Sequence, residues 1–207
     1  MENNRASASD CRVMIMAGGT GGHVFPALAV ADRLRSKNVK ISWLGTKPGI
    51  ESELVPANNI ELHYLNIEGI RGRGFAALLK APLLLLRSIS QALSVLSEFK
   101  PAVVLGMGGF ASGPGAVAAK LKGIPIVIHE QNSVAGTTNR LSAKIAARVM
   151  QAFPDTLAKG EWWSNPVLHD IPKLALPPQR FASRAARTRA LALGGSTGAL
   201  PNYNFVI

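Results

Sequence analysis

The sequence predicts an α/β protein with a doubly wound parallel sheet of the Rossmann-like class. Strand-length apolar runs alternate with helix-length segments, and most of the strand runs are continuously apolar, as is typical of strands covered on both faces. Glycine clusters follow several of these runs, where the chain leaves a strand. Because ligands bind beyond the carboxyl ends of the strands in such sheets, we expect these clusters to share one binding edge.

The first predicted strand leads into a loop that contains four glycines. An apolar run at 13–16 enters this loop, and a periodic apolar run at 27–34 predicts the helix that follows. The loop residues are Gly18, Gly19, Thr20, Gly21, Gly22 and His23. Pro26 is expected in the first helical turn, where no backbone donor is lost. Glycines let the backbone approach an anion closely and helix N-terminal amides carry partial positive charge, so the loop is suited to phosphate or a polar sugar. A tight turn without a ligand is the alternative.

This loop matches neither of the two common phosphate-binding motifs. A dinucleotide fingerprint that starts at Gly19 and Gly21 requires a third glycine at position 24, where a valine stands. A P-loop would end in Gly-Lys-Ser/Thr, which positions 23 and 24 do not supply. A nicotinamide-dependent oxidoreductase is further disfavoured because segment 44–46, after the second predicted strand, lacks the acid that binds ribose.

The remaining elements follow in regular alternation. Further strands are expected at 39–44, 60–67, 102–105, 124–129 and 149–153, and helices at 48–56, 75–99, 116–122 and 137–148. A second glycine cluster at 106–115 follows the fourth strand, and Glu130, Gln131 and Asn132 follow the fifth. We therefore expect three separate segments to converge on one mouth at the carboxyl edge of the sheet.

The pattern divides the chain into four regions. We expect a polar leader at 1–11, a domain at 12–165, a Pro-rich basic linker at 166–187 and the start of a second α/β domain at 188–207. The last region repeats the opening arrangement of an apolar strand followed by a glycine loop, and the rest of that domain is expected to be missing. The leader has no apolar core of signal-peptide length, and the single cysteine fits a reducing compartment.

The charge of the chain predicts an anionic partner. The net charge is +11, from 23 Lys and Arg against 12 Asp and Glu. Nucleic acid is the weaker candidate, because only 6% of residues are aromatic and no basic stretch is interleaved with aromatics. No cluster of metal-ligating residues is evident, so we expect neither a metal nor a cofactor.

Five segments in fixed order resemble the MurG family of peptidoglycan glycosyltransferases. They read AGGTGGHVFP at 17–26, GMGGF at 106–110, SGPG at 112–115, HEQN at 129–132 and GGSTGA at 194–199. The resemblance runs from about Arg12 to Ala199. It implies the N-terminal half of a two-domain glycosyltransferase of the B type (GT-B). The implied reaction is inverting transfer of N-acetylglucosamine from UDP-N-acetylglucosamine (UDP-GlcNAc) to the 4-hydroxyl of lipid I, the muramyl-pentapeptide on undecaprenyl diphosphate, which makes lipid II.

The resemblance also implies roles for particular residues. The family's UDP-GlcNAc contacts fall on Thr20, Gly21, Gly22, Asn132 and Ser196. The acceptor and its diphosphate are expected at Gly18, Gly19, Gly108, Gly109 and Phe110. The family's arginine in a Gly-Asn-Pro-Val-Arg motif is replaced here by Leu168, so either a neighbouring basic residue substitutes for it or nucleotide binding is weakened.

Two residues are candidates for the catalytic base. His23 is at a helix N-terminus, which favours the neutral imidazole that can accept a hydroxyl proton. The alternative is a histidine that only bonds loop carbonyls. Glu130 is the rival base, and its alternative is a carboxylate that orients the loop through backbone amides.

The helical region at 75–99 suggests a membrane-facing surface. Charges and a proline interrupt its apolar residues, so no run reaches the roughly 18 residues of a membrane span, and a helix lying on an anionic membrane is expected. The expected patch comprises Phe75, Leu79, Leu83, Leu86, Arg87, Arg140 and Lys144, the last two on a stripe that continues to Arg148. An ordinary core helix and a solvated basic face are the alternatives. The expected location is the cytoplasmic face of the bacterial inner membrane, and a second reading of the function is a binding module without catalysis.

Overall fold

The computed structural model describes residues 11–67, 74–168, 171–176 and 179, with the backbone alone at 74–80 and 172. Its centre is a parallel sheet of seven strands in the order β3-β2-β1-β4-β5-β6-β7. The strands are β1 (Arg12–Ala17), β2 (Lys40–Gly45), β3 (Glu61–Tyr64), β4 (Val103–Gly108), β5 (Ile126–Glu130), β6 (Arg148–Gln151) and β7 (Glu161–Trp162). The strand order reverses between β1 and β4, where open parallel sheets bind their ligands. The predicted doubly wound Rossmann-like class is confirmed.

Helices cover both faces of the sheet. They are α1 (Gly21–Arg35), α2 (Glu51–Ala57), α3 (Gly74–Phe99), α4 (Ser112–Leu121) and α5 (Thr137–Ala143), and a short 3-10 helix spans Ile171–Lys173. Alternate residues of β1 point to opposite faces. Val13 and Ile15 pack with α1 and α2, whereas Met14 and Met16 pack with α3 and α4. The sheet is therefore buried on both sides, as its continuously apolar strands predict.

Helix α1 begins earlier than predicted. The amides of His23 and Val24 donate to the carbonyl of Thr20 at 3.1 and 3.2 Å, so the helix starts at Gly21. Pro26 therefore lies inside the helix rather than in its first turn. Because proline has no N–H, the carbonyl of Gly22 loses its usual intrahelical donor. Gly21 and Gly22 therefore form the first residues of the helix.

Strand β4 runs farther than predicted and α5 ends sooner. β4 continues because β1 and β5 both pair with it at Gly106, and β1 pairs with it again at Gly108. α5 ends at Ala143 because the amide of Ala147 donates to the carbonyl of Ile126 at 2.8 Å and draws the chain into the sheet. Arg148 therefore begins β6, and its predicted place on the face of α5 is wrong.

The proposed domain division extends past the described part of the chain. Almost all of the leader at 1–11 and the whole of 188–207 lie outside the described residues, and only part of 166–187 lies within them. Among the described residues, no helix combines the length and apolarity needed to cross a bilayer.

Candidate functional site

The glycine loops after β1 and β4 are in direct contact. The amide of Gly18 donates to the carbonyl of Gly108 at 3.2 Å. Gly109 has φ +90°, and a Cβ atom built there would lie 2.8 Å from the backbone N and C of Gly18. Such an approach excludes any side chain. The two loops that the sequence placed at one mouth therefore meet there, at the switch point of the sheet.

A buried hydroxyl ties the start of α4 to both strands. The Oγ atom of Ser112 lies 2.7 Å from the carbonyl oxygens of Met16 and Gly108, and Ser112 is fully buried. This places the beginning of α4 beside the end of β1. The second glycine cluster is thus partly strand, partly loop and partly helix, instead of one loop.

The N-terminus of α1 presents unpaired backbone donors at this mouth. The N-cap residue Thr20 makes no side-chain capping bond, and the first turn contains no acidic residue. The amides of Gly21 and Gly22 have no acceptor among the described residues. Gly22 is exposed and Gly21 half-buried. Such amides, with the helix dipole behind them, favour an anion.

His23 lies against the floor of the mouth with one ring nitrogen fixed. Its Nδ1 atom is 3.2 Å from the carbonyl oxygen of Gly18 and 3.4 Å from the hydroxyl of Thr20. Because a carbonyl only accepts, Nδ1 donates to it and Nε2 is left as an acceptor. The ring packs on Gly108, where a Cβ atom would come within 2.7 Å of Nε2. This arrangement holds the imidazole in the tautomer that can take up a proton at Nε2.

Glu130 is fully buried and both of its oxygens are engaged. Oε1 accepts from the amide and the side chain of Asn132 at 3.0 and 3.1 Å. Oε2 accepts from the amide of Gly136 at 3.1 Å and from Asn139 Nδ2 at 2.9 Å. This geometry favours the orienting role that the sequence left open for Glu130. Its role as a base stays a prediction.

Sequence reasoning missed a second buried carboxylate, Glu51. Its Oε2 accepts from the amide of Gly19 at 2.9 Å, and its Oε1 accepts from the amide and hydroxyl of Thr46 at 2.9 and 2.8 Å. Glu51 is fully buried, and its side chain occupies the space where Gly18, Gly45 and Gly49 lack a Cβ. An acid closely preceded by two glycines was the only signal for it in the sequence.

His129 lies on β5 beneath the mouth. Its Nε2 donates to the carbonyl of Ser164 at 2.9 Å, and its buried Nδ1 has no partner among the described residues. Burial lowers the pKa of His129, and this outweighs the opposing effects of the Ser164 carbonyl and the Glu130 carboxylate.

The other predicted residues lie at the mouth, at the end of β5, on α3, on or just after α5, or outside the described residues. Phe110 is exposed at the mouth, and Asn132 is exposed just beyond the carboxyl end of β5. Leu83, Leu86 and Arg87 are exposed on α3, and Arg140 and Lys144 are exposed at and just after the end of α5. Ser196 and the side chains of Phe75 and Leu79 lie outside the described residues. Within the described part of the chain, no group of three or more His, Cys, Asp or Glu residues could hold a metal ion.

The fold and the mouth together define a class of protein. A seven-stranded doubly wound sheet carries, at its switch point, two touching glycine loops and a helix N-terminus with free amides. This combination is typical of domains that bind phosphorylated ligands.

The chain belongs to glycosyltransferase family 28, because the model of that family's N-terminal domain matches residues 13–151. It is 53% identical over 188 residues to a Vibrio cholerae protein named UDP-N-acetylglucosamine--N-acetylmuramyl-(pentapeptide) pyrophosphoryl-undecaprenol N-acetylglucosamine transferase, covering 91% of this chain and 53% of that protein. A Haemophilus ducreyi protein of the same name is 51% identical over 192 residues, with 91% and 54% covered. The crystal structure of Acinetobacter baumannii MurG is 38% identical with a TM-score of 0.70, covering 86% of this chain and 50% of that one. The chain thus spans about half the length of these relatives.

Proposed function

We propose that this chain supplies the N-terminal domain of a transferase that moves N-acetylglucosamine from UDP-N-acetylglucosamine to lipid I, with inversion. The names of its relatives support this reaction, and so does the mouth of the sheet. The observation that carries the proposal is that His23, next to the free amides of Gly21 and Gly22, is held by the Gly18 carbonyl where the β1 and β4 loops meet. Transfer of a sugar from a nucleotide diphosphate to a hydroxyl requires a base for the hydroxyl proton and a nearby site for the leaving diphosphate.

The free amides are the proposed site of a diphosphate. Thr20, Gly21 and Gly22 form the start of α1, and no acid in its first turn opposes an anion. Gly19 is exposed and a Cβ atom built there meets nothing within 4 Å, so a ligand can approach its backbone closely. Gly18, Gly108 and Gly109 instead pack against Glu51, His23 and the Gly18 backbone. The whole chain's charge of +11 favours an anionic ligand as well.

His23 is the proposed catalytic base. The hydroxyl oxygen of the acceptor sugar forms a bond to the anomeric carbon of the donor, and its proton passes to Nε2 of His23. The bond from that carbon to the UDP oxygen breaks, and UDP leaves with the electron pair. The hydrogen bond from Nδ1 to the Gly18 carbonyl stabilises the imidazolium that forms.

Glu130 and Asn132 are proposed to shape the third wall of the mouth. The carboxylate of Glu130 holds the loop that follows β5, and this fixes the position of Asn132 for the donor sugar. Ser196, also a proposed donor contact, lies outside the described residues. Leu168 is exposed where the related motif has an arginine, so it supplies no charge to the nucleotide.

A membrane surface is the second part of the proposal. Leu83, Leu84, Leu85 and Leu86 are 44–71% exposed, which is unusual for four consecutive leucines. Helix α4 packs against both α3 and α5, so these leucines and the exposed Arg140 and Lys144 lie on the same side of the sheet. Such a surface suits a peripheral position on an anionic membrane, where a polyprenyl acceptor resides.

A transfer assay tests the reaction. The chain is fused to the C-terminal half of the Haemophilus ducreyi relative and given lipid I and labelled UDP-N-acetylglucosamine. We expect labelled lipid product from the fusion, and at least about 100-fold less from its His23→Ala variant, because a positioned base contributes about 10² to 10⁴ in rate.

His63→Ala is the matched control, since His63 lies on the edge strand β3, which β2 separates from β1, and its nearby charged group is Glu61 on the same strand. Its turnover should equal that of the unmodified fusion. Wild-type turnover in His23→Ala would remove His23 from the mechanism. A fusion that binds lipid I without forming product would support the binding-module reading instead.

A further inference from the structure

Among the described residues, Glu51 is a fully buried carboxylate that has no part in the proposed reaction. It lies on α2, two elements away from the glycine loop in sequence, and yet its Oε2 accepts the amide of Gly19 at 2.9 Å. Its other oxygen accepts the amide and the hydroxyl of Thr46 on the loop that follows β2. All three hydrogen bonds are donated to the carboxylate, and two of them come from backbone amides on different loops.

The packing around Glu51 is as specific as its hydrogen bonding. A Cβ atom at Gly45 would lie 2.7 Å from Cγ of Glu51, and Cβ atoms at Gly18 and Gly49 would lie even closer to its carboxylate. Three glycines from three segments thus surround one side chain. Gly19 itself has φ +88°, and a Cβ atom built there would meet nothing within 4 Å. The hydrogen bond that its amide donates to Glu51 links this part of the loop to α2.

We propose that Glu51 is a positioning residue that sets the shape of the β1 glycine loop, and so aims the amides of Gly21 and Gly22 and the ring of His23 at the ligand. The inference deepens the proposed function and relies on its anion site. Gly18 donates to Gly108 and Gly19 donates to Glu51, so both of these amides are used within the protein. The amides left for a ligand are those that follow, at the start of α1.

The Glu51→Gln substitution separates geometry from charge. A glutamine has one accepting oxygen, whereas Gly19 and Thr46 each direct a backbone N–H at a different oxygen of Glu51. In either orientation of the glutamine side chain, its NH₂ group therefore faces a backbone N–H, and no hydrogen bond can form between these two donors. Removal of a nearby negative charge should by itself strengthen the binding of an anion. Weaker binding would therefore report a lost loop shape.

The test uses the whole 207-residue chain, labelled with ¹⁵N, and inorganic pyrophosphate as the probe. We expect pyrophosphate to shift the amide signals of Gly21 and Gly22 in the wild type, and to bind Glu51→Gln at least fivefold more weakly. The amide of Gly19 should exchange with solvent at least tenfold faster in that variant. Glu53→Gln is the matched control, because it removes the same charge from an exposed position in the same helical turn. It should behave as the wild type.

A second variant serves if Glu51→Gln fails to fold. Thr46→Val removes one hydroxyl donor to Glu51 and keeps the side-chain shape and the backbone amide, and it should change both readouts in the same direction by a smaller amount. Unchanged Gly19 exchange and unchanged pyrophosphate affinity in Glu51→Gln would overturn the proposal. If the wild type binds no pyrophosphate, the proposed anion site fails, while the exchange rate of Gly19 still decides the role of Glu51.

Discussion

At the scale of single residues, the mouth separates buried carboxylates from an accessible imidazole. Glu51 and Glu130 are both fully buried, and their carboxylates accept three and four hydrogen bonds respectively. A buried carboxylate is costly unless its oxygens are satisfied, and these donors satisfy it. His23 remains half-buried with Nε2 available. The two carboxylates are thus engaged within the loops, whereas the imidazole keeps a nitrogen that can accept a proton.

His129 should make the stability of the chain depend on pH. Burial lowers its pKa in the folded protein, whereas the unfolded chain has the ordinary value of about 6.5. As the pH falls below about 6.5, the unfolded state takes up a proton that the folded state does not, so the free energy of unfolding decreases. This loss continues down to the folded pKa. Urea unfolding between about pH 7.5 and pH 5 measures it.

His129→Gln retains a donor for the Ser164 carbonyl and removes the titration. We expect its unfolding midpoint to fall less steeply with acid than that of the wild type. Val149→Ala truncates a buried side chain on β6 and should lower the midpoint equally at every pH. Equal slopes for the wild type and His129→Gln would contradict the prediction.

The sequence predicted those residues of the mouth that are neighbours in the chain. Four glycines and a histidine stand together between a strand and a helix, and the structure brings them to one mouth with Gly108. Glu51 could not be predicted in the same way. Its burial depends on β1 lying beside β2, because only that pairing brings Gly18 and Gly19 against the start of α2.

At the scale of elements, the contact between the β1 and β4 loops depends on glycine at position 109. Gly109→Ala places a methyl group against the backbone of Gly18 at a residue with φ +90°. The left-handed conformation alone costs about 1–2 kcal/mol for a residue with a side chain, and the clash adds to this. We expect a loss of at least about 2 kcal/mol in unfolding free energy, measured with urea.

Gly136→Ala is the comparison for that variant. Gly136 precedes α5 with φ −65°, and a Cβ atom there meets nothing within 4 Å. Its stability should lie within about 0.5 kcal/mol of the wild type, as is usual for substitutions without contacts. If the two variants were equally stable, the two loops would not be packed as described.

The order of the elements could be predicted from the sequence, but several of their ends could not. Apolar runs identified all of β1 to β6, because parallel strands buried on both faces have that pattern. The ends depend on neighbouring strands. β4 extends to Gly108 because both neighbouring strands pair with it at Gly106 and β1 pairs with it at Gly108, and α5 stops because Ala147 joins β5. The two-residue β7 is too short for any periodicity.

At the scale of the whole molecule, the two faces of the sheet differ in what they expose. Helices α1 and α2 bury their apolar residues against one face. On the other face, α3 packs through Ala92 and Leu96 but leaves the leucines at 83–86 exposed. Arg87 follows these leucines, and α4 connects them to the basic end of α5. Apolar and basic side chains on one side of the molecule favour a membrane in preference to a soluble partner.

That surface predicts binding to anionic vesicles that salt weakens. The chain should co-sediment with vesicles of phosphatidylglycerol and phosphatidylcholine at low salt, and with phosphatidylcholine alone much less. The Debye length falls from about 10 Å at 0.1 M to about 3 Å at 1 M ionic strength, so high salt should release much of the protein.

Replacing Leu83 and Leu86 together by serine should weaken binding at least about tenfold, since burying one leucine contributes about 1.5–3 kcal/mol. The same double change at Leu174 and Leu176 should leave binding unchanged, because these exposed leucines lie outside α3 and follow Lys173, which lines a cavity with residues of α1 on the other side of the sheet. Equal losses in both double variants, or no sedimentation at low salt, would show that the α3 leucines do not face a membrane.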